Sequence, residues 1–253
     1  MTDLSIVVPA YNEAKRLPPT LESIVDFAGR QRRSVEVIVV DDGSTDGTAA
    51  AAEAFRGRLP ALRVIRLDRN AGKGKAVRVG MLAATGDLRL FADADGATPM
   101  AELTKLEEGL VAAGGRGVAF GSIAGGEHVE RGESAVRSVA GRAGNWMIQR
   151  LVLSGVRDSQ RGFKLFSGDA ADDLFGRSVI DGWGFDVEIL ALARRGGYAL
   201  VEVPTRWIHD PDTRVTAVSY LTTLWEVLRV KWRMRRGDYD AAPRPAARRS
   251  TSM

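Results

Sequence analysis

The 253-residue chain contains no cysteine. Disulfides and thiolate metal sites are therefore excluded, and a reducing compartment is compatible with the sequence. No window approaches the roughly 20 apolar residues that cross a bilayer as a helix. Asp3 leads straight into a strand-like run, so no secretory signal is expected at this N-terminus. Internal repeats are lacking. The first strand is not followed by a G-x-G-x-x-G turn, and no stretch has the P-loop spacing G-x-x-x-x-G-K-[ST]. A nicotinamide dehydrogenase and a P-loop ATPase are both disfavoured on that ground. Enough apolar sequence remains for a core: 45% of the residues, which at this length suits one large α/β domain.

The net charge of +4 fits anionic partners such as phosphates or acidic lipids, and much of it lies between Arg229 and Arg249. Residues 237–253 read as a basic tail rich in Ala, Pro, Arg and Ser, expected to be disordered. The tail lacks the aromatic interleaving of a nucleic-acid groove, so no nucleic acid is expected as a partner.

Short apolar runs alternate with helical periodicity over the first 120 residues. Leu4–Pro9, Val35–Val40, Leu62–Leu67, Leu88–Ala92 and Gly117–Gly121 read as strands. A helix with Leu17, Leu21, Ile24 and Val25 on one face follows the first, and another spans about Pro99 to Ala113. This order predicts a mostly parallel sheet with helices on both faces. Beyond it, Gly125–Ser134 reads as a mobile loop, Val136–Leu153 as a helix, Phe163–Phe166 and Leu200–Val203 as strands, and Trp183–Glu188 as a helix start. Val218, Leu221, Trp225, Leu228 and Trp232 recur at helical steps beside a crowd of arginines. That C-terminal amphipathic helix either lies at a membrane interface or packs on the domain's own surface.

In such sheets ligands gather at the C-terminal ends of the strands. Asp93 and Asp95 follow the fourth strand one residue apart, so both can aim at one point. They form either a polar turn with an Asx bend or half of a site for a hard divalent cation, Mg2+ or Mn2+, shared with a diphosphate. Tyr11 and Glu13 are either loop surface and helix cap or a base-stacking ring and an acceptor for a nucleotide. In Asp41-Asp42-Gly43-Ser44-Thr45-Asp46 one of the last two residues is expected to cap the next helix, leaving one of the first two carboxylates for another task. Lys73, flanked by glycines where a helix opens, could meet a phosphate.

The segments "VVPAYNE", "VDDGSTDGT" and "DADGAT", in that order and each at a strand end, resemble family 2 glycosyltransferases of the GT-A (Rossmann-like) fold. In the second half "DSQRGFKLF", "WGFDVEILALA" and "VEVPTRWIHDPDTRV" are similar to stretches of the dolichyl-phosphate β-glucosyltransferases, with the polyprenyl-phosphate mannose synthases as near kin. The resemblance implies one GT-A domain over 1–236, its nucleotide-sugar half at 1–121 and its acceptor half at 122–236. Pro9, Tyr11, Glu13 and Asp42 would hold the nucleoside, with Lys73 near the nucleotide. Asp93 and Asp95 would bind the metal and the sugar diphosphate. Gln160, Gly162, Phe163, Trp183, Asp186 and Glu188 would line the sugar and acceptor side, while Arg131 and Arg214 would meet phosphate. Asp95 and Asp186 are the candidate bases should the acceptor be a hydroxyl.

The implied activity is inverting transfer of a hexose, from UDP-glucose or GDP-mannose, to a polyprenyl phosphate. A transferase to a small hydroxyl acceptor and a sugar-nucleotide-binding module without turnover are the other readings. Arg161 and Ala97 depart from the relatives' pattern, and the Q-x-x-R-W sequence of processive polysaccharide synthases is missing. A counterpart of the eukaryotic members' N-terminal membrane helix is not expected here. Attachment is therefore expected to be peripheral, at the inner, cytoplasmic face of a membrane surface.

Overall fold

Seven residues, Leu4–Ala10, form the central strand β1, and each of them is buried. An unbroken apolar strand of this kind needs cover on both faces, which parallel α/β architecture provides. A computed structural model of the chain describes residues 2–122, 128–129, 149–150, 152–153, 155–208 and 217–240. In chain order the elements are β1, α1 (Leu17–Arg30), β2 (Val35–Asp41), α2 (Thr48–Glu53), β3 (Leu62–Arg66), α3 (Lys73–Ala83) and β4 (Leu88–Ala92). A 3-10 turn, Met100–Glu102, leads into α4 (Leu103–Ala112) and β5 (Gly117–Ser122). There follow β6 (His128–Val129), β7 (Phe163–Ser167), α5 (Gly168–Arg177), α6 (Phe185–Arg195), β8 (Ala199–Pro204), β9 (Trp207–Ile208) and α7 (Ala217–Arg236).

The seven-stranded sheet runs β3-β2-β1-β4-β7-β5-β8, and β6 and β9 form a separate two-stranded ribbon. The pairs β1–β2, β1–β4, β2–β3 and β5–β8 are parallel, whereas β7 is antiparallel to both β4 and β5. Alternation along each strand divides the core. Ile6, Val8, Val37, Val39 and Leu90 pack with Leu17, Leu21 and Ile24 of α1 and Leu103, Leu106 and Leu110 of α4. Val7, Ile38, Val40, Phe91 and Phe166 pack with Val77 and Met81 of α3, Leu174 of α5, Leu190 of α6 and Val227 and Val230 of α7. The expected mostly parallel sheet covered on both faces is thus present.

Two expectations are corrected. The helix after β2 has Gly47, at φ 88°, in the cap position, while Asp46 accepts the Thr48 amide at 3.1 Å without itself being the cap. The tail was expected from residue 237, yet Tyr239 is buried among α6 and α7 residues and donates its hydroxyl to Glu188 at 2.7 Å. Its ring supplies apolar area that the Ala-Pro-Arg composition after it does not. The bulk of the expected helix 136–153 and of the loop 125–134 lies outside the described residues.

Candidate active site

The strand order reverses between β1 and β4, and their C-terminal ends open the crevice where doubly wound sheets bind ligands. Two loops from this end are tied into one part. The amide of Asn12 donates to Ser44 Oγ at 2.8 Å, Thr45 N donates to Asn12 Oδ1 at 2.9 Å, and Glu13 N donates to Thr48 Oγ1 at 2.8 Å. Asn12 takes φ 53°, a left-handed conformation that asparagine tolerates better than branched residues. Pro9 is buried within β1, Tyr11 is partly exposed, and the carboxylate of Glu13 is forked by Arg16. Asp42 is buried, and its two oxygens accept the amides of Ala71 (2.8 Å) and Gly72 (2.9 Å). Burial nevertheless pushes its carboxyl above the usual range. The free carboxylate expected in this loop is therefore engaged with the turn that opens α3.

That turn delivers Lys73. Its Nζ stands 2.7 Å from Asp93 Oδ1, with the ring of Trp183 at 5.0 Å and that of Phe91 at 5.4 Å. Burial works against its charge, but Asp93, Asp186 and Asp95 outweigh burial and hold the ammonium above the ordinary lysine range. Asp95 accepts the Ala97 amide at 3.1 Å, so the Asx bend is real. Burial and then the neighbouring Asp93 charge raise its carboxyl pKa. On the same side, Lys164 of β7 and Asp186 of α6 make an ion pair at 2.6 Å with both side chains almost wholly buried. Burial pushes Asp186 up against the pull of Lys164 and Lys73.

Three carboxylates, Asp93, Asp95 and Asp186, thus face two ammonium groups, Lys73 and Lys164. With all five ionised, the cluster carries one excess negative charge. A nucleoside diphosphate entering it would need further positive charge. Among the described residues no group of three or more His, Asp or Glu side chains is arranged to hold a metal alone. Two hard carboxylates that leave most coordination positions to water and phosphate suit Mg2+ or Mn2+, and the charge deficit favours such an ion.

Several residues have different occupations from those expected. The ring of Phe163 is buried in the α1/α4 side of the core, because β7 alternation turns it inward, so it does not line the crevice. Glu188 is likewise fully buried, accepting the amides of Val179 and Ile180 and the Tyr239 hydroxyl. It fastens a loop and does not face a sugar. Gln160 is exposed, while Gly162 lies against Asp93, whose amide donates to Gly162 O at 2.9 Å. A Cβ at position 162 would fall 1.9 Å from Asp93 Oδ2, so any other residue there must push the Asp93 carboxylate aside. Arg161 stacks on Trp207 at 4.5 Å, and the neighbouring Ile208 amide donates to Ala97 O at 2.8 Å, bringing the β6/β9 ribbon to the Asp95 turn. Arg131 and Arg214 lie outside the described residues.

Two participants were missed. Lys164 is one; its signal was a lone charge inside the apolar run Phe163-Lys164-Leu165-Phe166. The other is Glu226 of α7, which accepts the Gly184 amide at 2.7 Å and occupies the space a Cβ of Gly182 would need, bracing the loop that carries Trp183. The sequence held no local sign of it.

The model of the family "Glycosyl transferase family 2" matches residues 5–175. The dolichyl-phosphate beta-glucosyltransferase of Drosophila melanogaster is 40% identical over 229 residues, 85% of this chain and 69% of the relative. The human dolichyl-phosphate beta-glucosyltransferase is 38% identical over 219 residues, 81% of this chain and 67% of the relative. A solved structure of glucosyl-3-phosphoglycerate synthase from Mycobacterium tuberculosis, in complex with Mn2+, UDP and glucosyl-3-phosphoglycerate, matches with a TM-score of 0.65 at 21% identity. It covers 93% of this chain and 80% of that one, a likeness of fold. With the GT-A architecture in place and more than half of its length matched by the family model, the chain belongs to glycosyl transferase family 2.

Proposed function

We propose that this glycosyltransferase moves a glucosyl unit from UDP-glucose to the phosphate of a polyprenyl lipid, with inversion, giving a β-linked product. The observation that carries the donor half of this reading is the charge-deficient cluster of Asp93, Asp95, Lys73, Asp186 and Lys164 at the end of β4. The sugar and the lipid acceptor are supported by the names and the 40% and 38% identities of the relatives.

Asp93 and Asp95 would hold a magnesium or manganese ion, which when bound supplies charge neutralisation for the departing nucleoside diphosphate. Lys73 stays protonated and presents its ammonium beside the same carboxylate. The Asn12–Thr45 and Glu13–Thr48 ties preassemble the two loops against which a nucleoside would lie. Arg131 and Arg214 would balance the acceptor phosphate. An acceptor phosphate is already anionic near neutral pH and needs little or no deprotonation. Asp186 is locked to buried Lys164 and would have to leave it to act as a base. A nucleophile that requires no base suits that arrangement.

The test is a matrix of UDP-glucose and GDP-mannose against undecaprenyl phosphate, decaprenyl phosphate and 3-phosphoglycerate, with products read by mass and anomeric configuration by NMR. A β-glucosyl lipid phosphate is expected. Transfer only from GDP-mannose or only to 3-phosphoglycerate, or no diphosphate release, would overturn the reading. Within the reaction, Asp95→Asn is expected to lower kcat at least about 100-fold and to blunt the metal response. Wild-type turnover and metal dependence in that variant would remove Asp95 from the centre.

A further inference from the structure

Arg161 stands immediately before Gly162, the residue that lies against the Asp93 carboxylate. Its backbone oxygen accepts the ammonium of Lys164, and its side chain is held twice more. Nε donates to Asp158 Oδ2 at 3.0 Å, and the guanidinium carbon lies 4.5 Å from the centre of the Trp207 ring. Trp207 is fixed in turn, because the amide of the next residue, Ile208, donates to Ala97 O in the turn that carries Asp95. The arginine therefore reaches from the entry of β7 to the β9 ribbon, past both members of the carboxylate pair. Its side chain keeps 28% of its surface exposed, and among the described residues its two terminal nitrogens donate no hydrogen bond.

From this arrangement we propose that Arg161 is a specificity-determining residue that binds the phosphate monoester of the lipid acceptor, an inference that rests on the function proposed above. Its placement argues for the acceptor over the donor. Across the sheet the order is β2, β1, β4, β7. The loops against which a nucleoside would lie follow β2 and β1, and Asp93 and Asp95 follow β4. Being antiparallel to β4, β7 begins at that same end, with Phe163 opposite Ala92. Arg161 thus lies across the carboxylates from the nucleoside loops, where the second anion of an in-line displacement would approach. Its chemistry argues for phosphate. A guanidinium presents a planar fork of donors to phosphate oxygens, and stacking on an indole leaves that edge open. A long side chain already held by Asp158 and Trp207 loses little rotamer freedom when a ligand arrives. The neighbouring cluster carries excess negative charge, so an incoming phosphate needs a cation on its own side. A surface ion pair with Asp158 alone would contribute little and would not require the indole. Arg161 also departs from the relatives' pattern, so no role for it comes with the family.

The experiment is calorimetric titration of the full chain with farnesyl phosphate, a short soluble polyprenyl phosphate, with farnesol, inorganic phosphate, and UDP plus Mn2+ titrated in parallel. Wild-type protein is expected to bind farnesyl phosphate more tightly than farnesol or inorganic phosphate. Arg161→Gln should weaken farnesyl phosphate at least about tenfold while leaving UDP binding and Tm unchanged. Arg161→Lys should recover only part of the loss, because it keeps the charge without the fork. In turnover, Arg161→Gln should raise the KM for the lipid phosphate by a similar factor and leave the KM for the sugar nucleotide as it is. Farnesyl phosphate bound equally by wild type and Arg161→Gln overturns the proposal and leaves the proposed function standing. A parallel loss of UDP affinity also overturns it, by placing the guanidinium on the donor diphosphate. Wild-type protein that binds UDP but not farnesyl phosphate would overturn the lipid acceptor and this proposal together.

Discussion

Gly162 and Asp93 compete for the same space, and the glycine concedes it. The missing Cβ lets the carboxylate sit against the β7 entry while the backbone of Gly162 accepts the Asp93 amide. Gly162→Ala is therefore expected to displace the Asp93 carboxylate and lower kcat at least about tenfold, since a misplacement near 1 Å can cost more than that. Gly57→Ala, where nothing lies within 4 Å of a new Cβ, is the matching control and should leave kcat unchanged. Equal activity in both variants would show that Asp93 tolerates the shift. At the opposite end of the sheet, Glu36 accepts the Ser5 hydroxyl at 2.6 Å, the Thr85 amide at 2.6 Å and the Thr85 hydroxyl at 2.8 Å. Burial opposes its charge, but these donors together hold its pKa below the ordinary glutamate value. The unfolded value is about 4.3, so the stabilisation is complete above that pH and is lost as the pH falls through the lower folded value. Glu36→Gln should cost about 2 kcal/mol near neutrality, with the gap to wild type closing on acidification. Denaturant melts across that range check it, and a pH-independent gap would contradict it.

At the level of elements, one buried ion pair, Lys164–Asp186, links β7 to α6 beside their shared apolar core. Lys164→Met would leave the buried Asp186 carboxylate without its ion-pair partner and beside Asp93, with Lys73 as the remaining cation, and is expected to cost about 3–5 kcal/mol. Lys164→Met/Asp186→Leu should recover most of that stability while activity stays low, because Lys73 would lose one of the three carboxylates that sustain its charge. Thermal melts and turnover separate the two effects; a double variant as unstable as the single one would show that the pair is not the source of the loss. These elements also mark how far the sequence could be read. The parallel strands were legible because buried strands are written as continuous apolar runs, and the two strand-end loops because turn residues punctuate them. The inward turn of Phe163 and Glu188 was not. A motif places a residue in the chain, but alternation on a strand or rotation on a helix decides which way it points. Lys164 escaped for the same reason, since a charge in an apolar run looks like noise until Asp186 is brought to it. Tyr239 was hidden by the composition of the tail behind it.

For the molecule as a whole, the antiparallel strand β7 joins what the sequence divides. The first 122 residues carry the three strand-end motifs and look self-contained, but β5 has no partner among them: its neighbours are β7 and β8. The fragment 1–122 is accordingly expected not to fold, showing no cooperative melt, whereas the full chain unfolds in one transition. A fragment with a sharp transition of its own would show that β1 to β4 suffice. Local periodicity could not reveal this arrangement, because neither the partner nor the direction of a strand is written in its own residues. The inserted strand also bears on synthesis. The β7 segment that pairs with β4, Phe163–Ser167, is complete only some 75 residues after β4, Leu88–Ala92, ends. At about 5–20 residues per second the ribosome would leave the β4 edge open for roughly 4–15 s. An unpaired apolar edge of that lifetime is what chaperones bind and what crowded polysomes aggregate, so the position of β7 in the chain makes slow translation of residues 93–162 a hazard for the yield of native protein.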